Sequence, residues 1–268
     1  MADPFQDVDA AGPEFIKSFA DSMDVRQSDP TMEAIVAEYL GLLDVPQGGR
    51  VIEIGAGAGA VTRRIADRFG QAQVLGYEPS MGFVAEAQAR AGARANLTFT
   101  AADGADLPEQ DASVDAVVMH TVLSHVVEPT LLVTEAVRVL KPGGQLVICD
   151  ADFSKATFSS FPNDPLDMCA KEFVRVFVTD AHIVGKLSGF MQGAGLDVTH
   201  FGVTSRVVTT PQQMLPWVEM TARQMEERGD IGTDLADALI AEHNRRAEAG
   251  TLYGYQAFAT VIGQKGLN

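Results

Sequence analysis

The run Val51-Ile52-Glu53-Ile54 empties directly into Gly55-Ala56-Gly57-Ala58-Gly59-Ala60, and no other stretch of the chain restricts its fold as strongly. A β-branched strand that ends in glycines at alternate positions makes an abrupt strand-to-helix turn. Glycine supplies the φ values of that reversal, and it lets a ligand approach the backbone where side chains would stand in the way. The spacing Gly55-x-Gly57-x-x-Ala60 also satisfies the dinucleotide fingerprint, and Glu78 stands about twenty residues further on, where such folds place a ribose-binding acid. The turn therefore nominates a nucleoside site without naming its occupant.

Two features bear on that choice. Glu53 precedes the first glycine at the carboxyl end of the expected strand, where a carboxylate can attract the ammonium of an amino-acid-bearing cofactor or orient the loop; a nicotinamide dinucleotide has no such ammonium. A second apolar strand, Val74-Leu75-Gly76-Tyr77-Glu78, then ends in an acid able to accept both ribose hydroxyl protons and runs into Pro79-Ser80-Met81. Ala101-Ala102-Asp103-Gly104-Ala105-Asp106-Leu107-Pro108 follows. Next come Val114-Asp115-Ala116-Val117-Val118-Met119-His120 and Leu140-Lys141-Pro142-Gly143-Gly144-Gln145-Leu146-Val147-Ile148.

In that order, between Arg50 and Asp150, these segments resemble the class I S-adenosylmethionine-dependent methyltransferases. The likeness is strongest to the small-molecule branch that includes the ubiquinone and menaquinone C-methyltransferases. The resemblance implies that Glu53, Gly55, Ala56, Gly57 and Gly59 surround the methionine part of S-adenosylmethionine, with S-adenosylhomocysteine as the product. It further implies that Glu78 holds the ribose, with Pro79, Ser80 and Met81 beside it, and that Asp103 meets the adenine amino group between Ala102 and Gly104. Glu53 departs from the family, which more often has Asp there; the longer side chain keeps the charge and shifts the contact.

At 268 residues with 46% hydrophobic content, the chain can bury one large α/β core. Its formal net charge of −16 disfavours phosphate backbones and anionic membranes as partners. The expected partners are a small-molecule substrate and at most a second copy in a homodimer, with no nucleic acid and no membrane. Residues 1–10 are acidic and lack the basic and apolar regions of a secretory signal, so a cytoplasmic location is expected. Cys149 falls in an expected buried strand and Cys169 in a helix, which favours two free thiols over a disulfide, and no metal-ligand spacing accompanies them.

Apolar periodicity predicts a helical segment holding Phe15, Ile16 and Phe19, then a helix over residues 31–43. Strands are expected near Val51, Val74, Leu97, Val114 and Leu146. A helix after Gly59 carries Val61, Ile65 and Phe69, and one before Lys141 carries Leu132, Ala136, Val139 and Leu140. A helix over 182–193 leads to a strand at 196–201, and a final strand spans 252–262. Alternation of strand and helix argues a parallel sheet. The expected fold is α/β, a Rossmann-like seven-stranded, mostly parallel sheet with helices on both faces, a helical cap and an antiparallel last strand. It forms one methyltransferase domain over 1–268: an N-terminal cap (1–45), a cofactor core (46–152), and a substrate-side part (153–268) with a helical insertion at about 211–250. Phe153, Phe158, Phe161, Phe173 and Phe177, with Met214, Leu215, Trp217, Val218, Met220 and Met225, are read either as a substrate wall or as ordinary core.

A sulfonium methyl is already activated, so the protein's main task is to align donor and acceptor and exclude water. Where the acceptor must lose a proton, histidine is the natural base. His120 closes the fourth strand, where the resemblance places a residue lining the transfer pocket. It is the first catalytic candidate and also a cofactor-side residue. His125, in Thr121-Val122-Leu123-Ser124-His125-Val126, matches the second histidine of a related Leu-His-His-Val pattern and is the second candidate, with packing under the cofactor loop as its alternative role. Tyr39, Tyr253 and Tyr255 are further rings able to touch ligand. The expected reaction is methyl transfer to carbon or oxygen of a small apolar or aromatic metabolite. Its rivals are an NAD(P)-dependent oxidoreductase and a protein that binds the cofactor without transferring its methyl.

Overall fold

The computed structural model describes residues 3–213 and 217–267. Met214 and Leu215, expected in the insertion, lie outside the described residues. Short 3-10 turns at Pro4–Gln6 and Asp9–Ala11 lead into α1 (Pro13–Gln27) and α2 (Pro30–Gly41). Asp29 sets the start of α2: its carboxylate accepts the Thr31 N–H at 2.9 Å, and Pro30 occupies the first turn, where no amide donor is needed. There follow β1 (Arg50–Ile54), α3 (Ala60–Arg68), β2 (Gln73–Glu78), α4 (Met81–Arg90), β3 (Leu97–Ala101), β4 (Val114–His120), α5 (Pro129–Val139) and β5 (Leu140–Thr157). The remainder comprises α6 (Leu166–Phe177), α7 (Leu187–Gly193), β6 (Leu196–Val208), α8 (Trp217–Glu227), α9 (Thr233–Glu248) and β7 (Gly254–Lys265).

The seven strands form one sheet in the order β3-β2-β1-β4-β5-β7-β6. β1 to β5 pair in parallel, and β7 runs antiparallel between β5 and β6. This is the expected α/β architecture with its reversed last strand. Alternating side chains divide the core. Val51, Val118, Val147 and Cys149 face α1 to α4, while Ile52, Ile54, Val117, Met119 and Ile148 face α5 and α7. Cover on both faces explains why the central strands read as continuous apolar runs rather than alternating ones. Strand order reverses between β1 and β4, and their carboxyl ends open the crevice in which ligands of such sheets lie.

Several boundaries differ from those read off the sequence. The helix after Gly59 stops at Arg68, and Phe69 is its C-cap rather than part of its apolar face. Leu140 opens β5 instead of closing α5, because its pairing with Val114 extends the strand back across a register shift. The 182–193 helix is a 3-10 turn, Ile183–Lys186, followed by the short α7. β6 continues past Phe201 to Val208, held throughout by β7. The insertion breaks between Glu227 and Thr233, around Gly229 and Gly232, into α8 and α9. Cys149 and Cys169 are buried free thiols.

Candidate active site

The glycine turn folds back over the carboxyl ends of β1 and β2. The Gly55 and Ala56 N–H groups both donate to the Tyr77 carbonyl, at 2.8 and 3.0 Å. Gly55 has φ +72°, and a Cβ there would lie 2.6 Å from the Val122 side chain. Gly57 has φ +51°, and its Cβ would meet the Met23 sulfur at 2.9 Å. Both positions therefore need glycine for backbone conformation and for packing of the turn, independently of any ligand.

In front of the turn lies a cleft of about 310 Å³, lined among others by Gly55, Gly57, Glu78, Asp103, Thr121 and His125. Glu78 organises its floor. One carboxylate oxygen accepts the Gly57 N–H at 2.9 Å and the other accepts the Ser80 N–H at 3.1 Å, so a single side chain ties the glycine turn to the start of α4. Burial pushes the Glu78 carboxyl up to about 7, against the lowering effect of those two amides. Glu53 sits behind the turn, 2% exposed, with its carboxylate accepting the Thr62 hydroxyl at 2.5 Å. Burial raises it to about 8; the Thr62 hydrogen bond opposes the shift and the charge of Glu78 adds to it.

Of the residues expected at the cofactor, Gly55, Gly57, Glu78, Pro79, Asp103 and Gly104 line this cleft, as does His125, the second catalytic candidate. Asp103 stands exposed at its mouth, one oxygen taken by the Ala105 N–H at 2.9 Å. The others lie around the cleft rather than on its wall. Glu53 and Ala56 back the turn, Gly59 makes room for the Phe99 ring, and the Ser80 hydroxyl caps α4 by accepting the Phe83 N–H at 3.0 Å. Met81 points to solvent, the Ala102 N–H donates to the Glu78 carbonyl, and His120 is buried beneath.

Within the N-terminal cap expected over 1–45, sequence reasoning named no residue ahead of Phe15. Phe5, Gln6 and Val8 cover the cleft from a segment with no apolar period of its own. Asp9 clasps that segment to the start of α4. Its carboxylate accepts the Ser80 hydroxyl at 2.7 Å and the Met81 and Gly82 N–H groups at 2.9 and 3.1 Å. The Ser80 hydrogen bond contributes most to holding Asp9 below the usual carboxylate range. Asp3 reaches His125 Nδ1 at 2.9 Å, and Phe5 packs on the same imidazole at 4.7 Å between centroids.

Beneath the cleft, His120 is 4% exposed, and its Nδ1 lies 3.2 Å from the Tyr39 hydroxyl. Burial first, then the charges of Arg26 and Arg64, depress its pKa to about 3, so the ring is neutral near pH 7. Thr121 follows at φ +55°, a costly conformation for a β-branched residue, and its hydroxyl accepts from Arg26 at 3.1 Å. The aromatic residues beyond β5 pack on one another: Trp217 stacks on Phe173 at 3.8 Å, and Phe153, Phe158 and Phe177 complete a buried cluster while Phe161 faces solvent. Of the two readings of that stripe, these contacts are those of core. Tyr255 bonds Ser205 away from the cleft, and Tyr253 is exposed.

Residues 52–148 match the family described as methyltransferase domain. The demethylmenaquinone methyltransferase of Tropheryma whipplei is 40% identical over 109 residues, which are 41% of this chain and 44% of that protein. The chain spans about half the length of the curated relatives it matches, or less. Among solved structures, phosphoethanolamine N-methyltransferase 2 of Haemonchus contortus, in complex with phosphomonomethylethanolamine and S-adenosylhomocysteine, superposes with a TM-score of 0.59 at 18% identity, covering 98% of this chain and 59% of that one. The [4+2]-cyclase SpnF superposes with a TM-score of 0.55 at 21% identity, covering 88% of this chain and 82% of that one. The architecture is the class I S-adenosylmethionine-dependent methyltransferase fold. Residues 52–148, the segment that matches the methyltransferase-domain family, carry the glycine turn, Glu78 and Asp103.

Proposed function

We propose that the chain transfers the methyl group of S-adenosylmethionine to a carbon or oxygen of a small apolar or aromatic metabolite, acting as one catalytic unit. The observation that carries this reading is a methyltransferase-domain match centred on a cleft whose turn, acid and mouth residues suit a nucleoside bearing an amino acid. Once bound, that cofactor supplies a methyl group activated on a sulfonium.

In this reading the remaining work belongs to the protein. Glu78 accepts the ribose hydroxyls and Asp103 the adenine amino group, while Gly55 and Gly57 let the methionine end lie against the backbone. Glu53, bonded to Thr62, fixes the turn from behind and adds negative potential beneath the cationic sulfur. The segment Phe5–Val8 excludes water from one side. Burial keeps the Tyr39 hydroxyl protonated, so it donates to His120 Nδ1 and leaves the proton on Nε2. His120 then orients an acceptor oxygen by donating a hydrogen bond, a task suited to an imidazole held neutral. His125, fixed by Asp3, walls the cleft near the transfer point.

Methyl-labelled S-adenosylmethionine incubated with metabolite fractions should pass its label to an organic acceptor and leave S-adenosylhomocysteine behind. With that acceptor in hand, His120→Ala should lower kcat while S-adenosylhomocysteine affinity stays unchanged. An intact donor after exposure to every fraction counts against methyl transfer, and an unaltered kcat removes the role given to His120.

A further inference from the structure

Among the described residues, three buried groups on α1, the end of β4 and β6 carry polar atoms with no hydrogen-bond partner. They are the side-chain amide of Gln27 (both its nitrogen and its oxygen), Nε2 of His120 and Nε of Arg206. Gln27 and Arg206 are each 1% exposed. Arg26 adds a fourth such atom, its Nε, beside the same site. Folded proteins seldom leave buried polar atoms unpaired, and the charge of Arg26 is felt by His120 while that of Arg206 is felt by Arg26, so these groups neighbour one another as in a site that a ligand completes. Apart from the Gln27 oxygen, each atom is a donor: two guanidinium N–H groups, an amide NH₂, and the Nε2–H that Tyr39 leaves on His120.

Charge agrees with chemistry. Arg206 has Asp29 at 3.3 Å. Among the described residues no carboxylate lies within ion-pair distance of Arg26, whose one side-chain hydrogen bond goes to the Thr121 hydroxyl. Asp150 is close enough to be felt by Arg26, yet its own oxygens are committed to the Ser124 and Ala151 N–H groups at 3.1 and 2.8 Å. Burial, and then the charge of Arg206, lower the Arg26 pKa to about 10, and the nearby Asp150 only partly opposes that shift. Thr121, bonded to Arg26, also lines the cofactor cleft, so the cluster adjoins the end of the cleft next to the glycine turn.

We infer that this interior cluster binds an oxyanion of the methyl acceptor, with Arg26 as its principal ligand and Gln27, His120 and Arg206 as further donors. The inference rests on the methyl-transfer reading for the word acceptor alone. An anion there would satisfy the orphaned donors, relieve the repulsion between Arg26 and Arg206, and hold the acceptor by its charged end with its apolar body toward the transfer point. A planar guanidinium suits a carboxylate or a phosphate equally by charge and fork geometry, so the experiment must separate them.

Calorimetric titration of the full chain, saturated with S-adenosylhomocysteine, compares benzoate and phenyl phosphate with uncharged benzamide. At least one oxyanion should bind about tenfold tighter than benzamide, the order of one charge-assisted hydrogen bond, and the preferred probe names the group. Arg26→Gln should abolish the preference and leave S-adenosylhomocysteine affinity unchanged, while Arg26→Lys keeps part of it. Equal binding of all three probes by the wild-type chain, or a preference that survives in Arg26→Gln, overturns the inference. Failure of S-adenosylhomocysteine to bind would sink the methyl-transfer reading instead, and the same comparison made without it would still decide the oxyanion site.

Discussion

At the scale of single residues, the two buried acids define the behaviour of the cleft. Glu78 and Glu53 hold their protons to about 7 and about 8 in the free protein because burial outweighs the hydrogen bonds that favour their anions. A ribose diol needs Glu78 as an acceptor, and an ammonium or sulfonium favours both acids ionised, so binding should release protons. S-adenosylhomocysteine affinity is expected to fall by about tenfold from pH 8 to pH 6, in step with the ionised fraction of a group titrating near 7. Glu78→Gln should weaken binding at pH 8 and flatten that dependence. The stability of the free protein runs the other way. Between the ordinary glutamate value near 4.5 and these raised values, the folded state holds more protons than the unfolded chain, so this contribution to stability falls as pH rises through that window. Melting curves from pH 5 to pH 8 should show the decline in wild type and a smaller one in Glu78→Gln.

Glu78 was legible because it stands at a fixed distance from a glycine turn on the next strand, and both are set by local pattern. Arg26 and Gln27 were not, since nothing in the last turn of an amphipathic helix says that its polar side would be buried against the end of β4. The glycines were legible for a partly different reason than the one that holds in the fold. Val122 and Met23, both distant in sequence, crowd Gly55 and Gly57 as firmly as any ligand would.

Among elements, the N-terminal segment ahead of α1 covers the cleft from outside the sheet and its loops. Asp9 fastens it to the first turn of α4, where its charge also suits the N-terminal end of the helix dipole. Asp9→Ala should free Phe5, Gln6 and Val8 from the mouth of the cleft and speed S-adenosylhomocysteine dissociation several-fold in stopped-flow displacement. An unchanged dissociation rate would mean that ligand leaves by a route these residues do not cover. The segment's place in an N-terminal cap was expected, but its individual residues were not, because it is two 3-10 turns held by long-range side-chain contacts rather than a periodic helix. The central strands were read in place because burial on both faces makes each an unbroken apolar run bounded by turn residues. The longest strands were read short: β5 and β6 extend as far as their antiparallel pairing with β7 allows, a property of the partner rather than of their own sequences.

For the molecule as a whole, the sheet order brings the ends of β1, β2 and β4 to one edge, so that separate motifs read along the chain converge on one cleft. The −16 charge sets this edge in a negative field suited to a cationic donor, and half-buried Arg26 of α1 with buried Arg206 of β6 forms a local positive exception to it. No helix among the described residues is long and apolar enough to cross a membrane. The cleft's selectivity for its nucleoside is the claim on which the rest of the functional reading stands. Isothermal titration of the folded chain at pH 8 with S-adenosylhomocysteine and, separately, with NADH tests it. Stoichiometric uptake of the first and none of the second is predicted, whereas heat with NADH alone, or with neither, would contradict it.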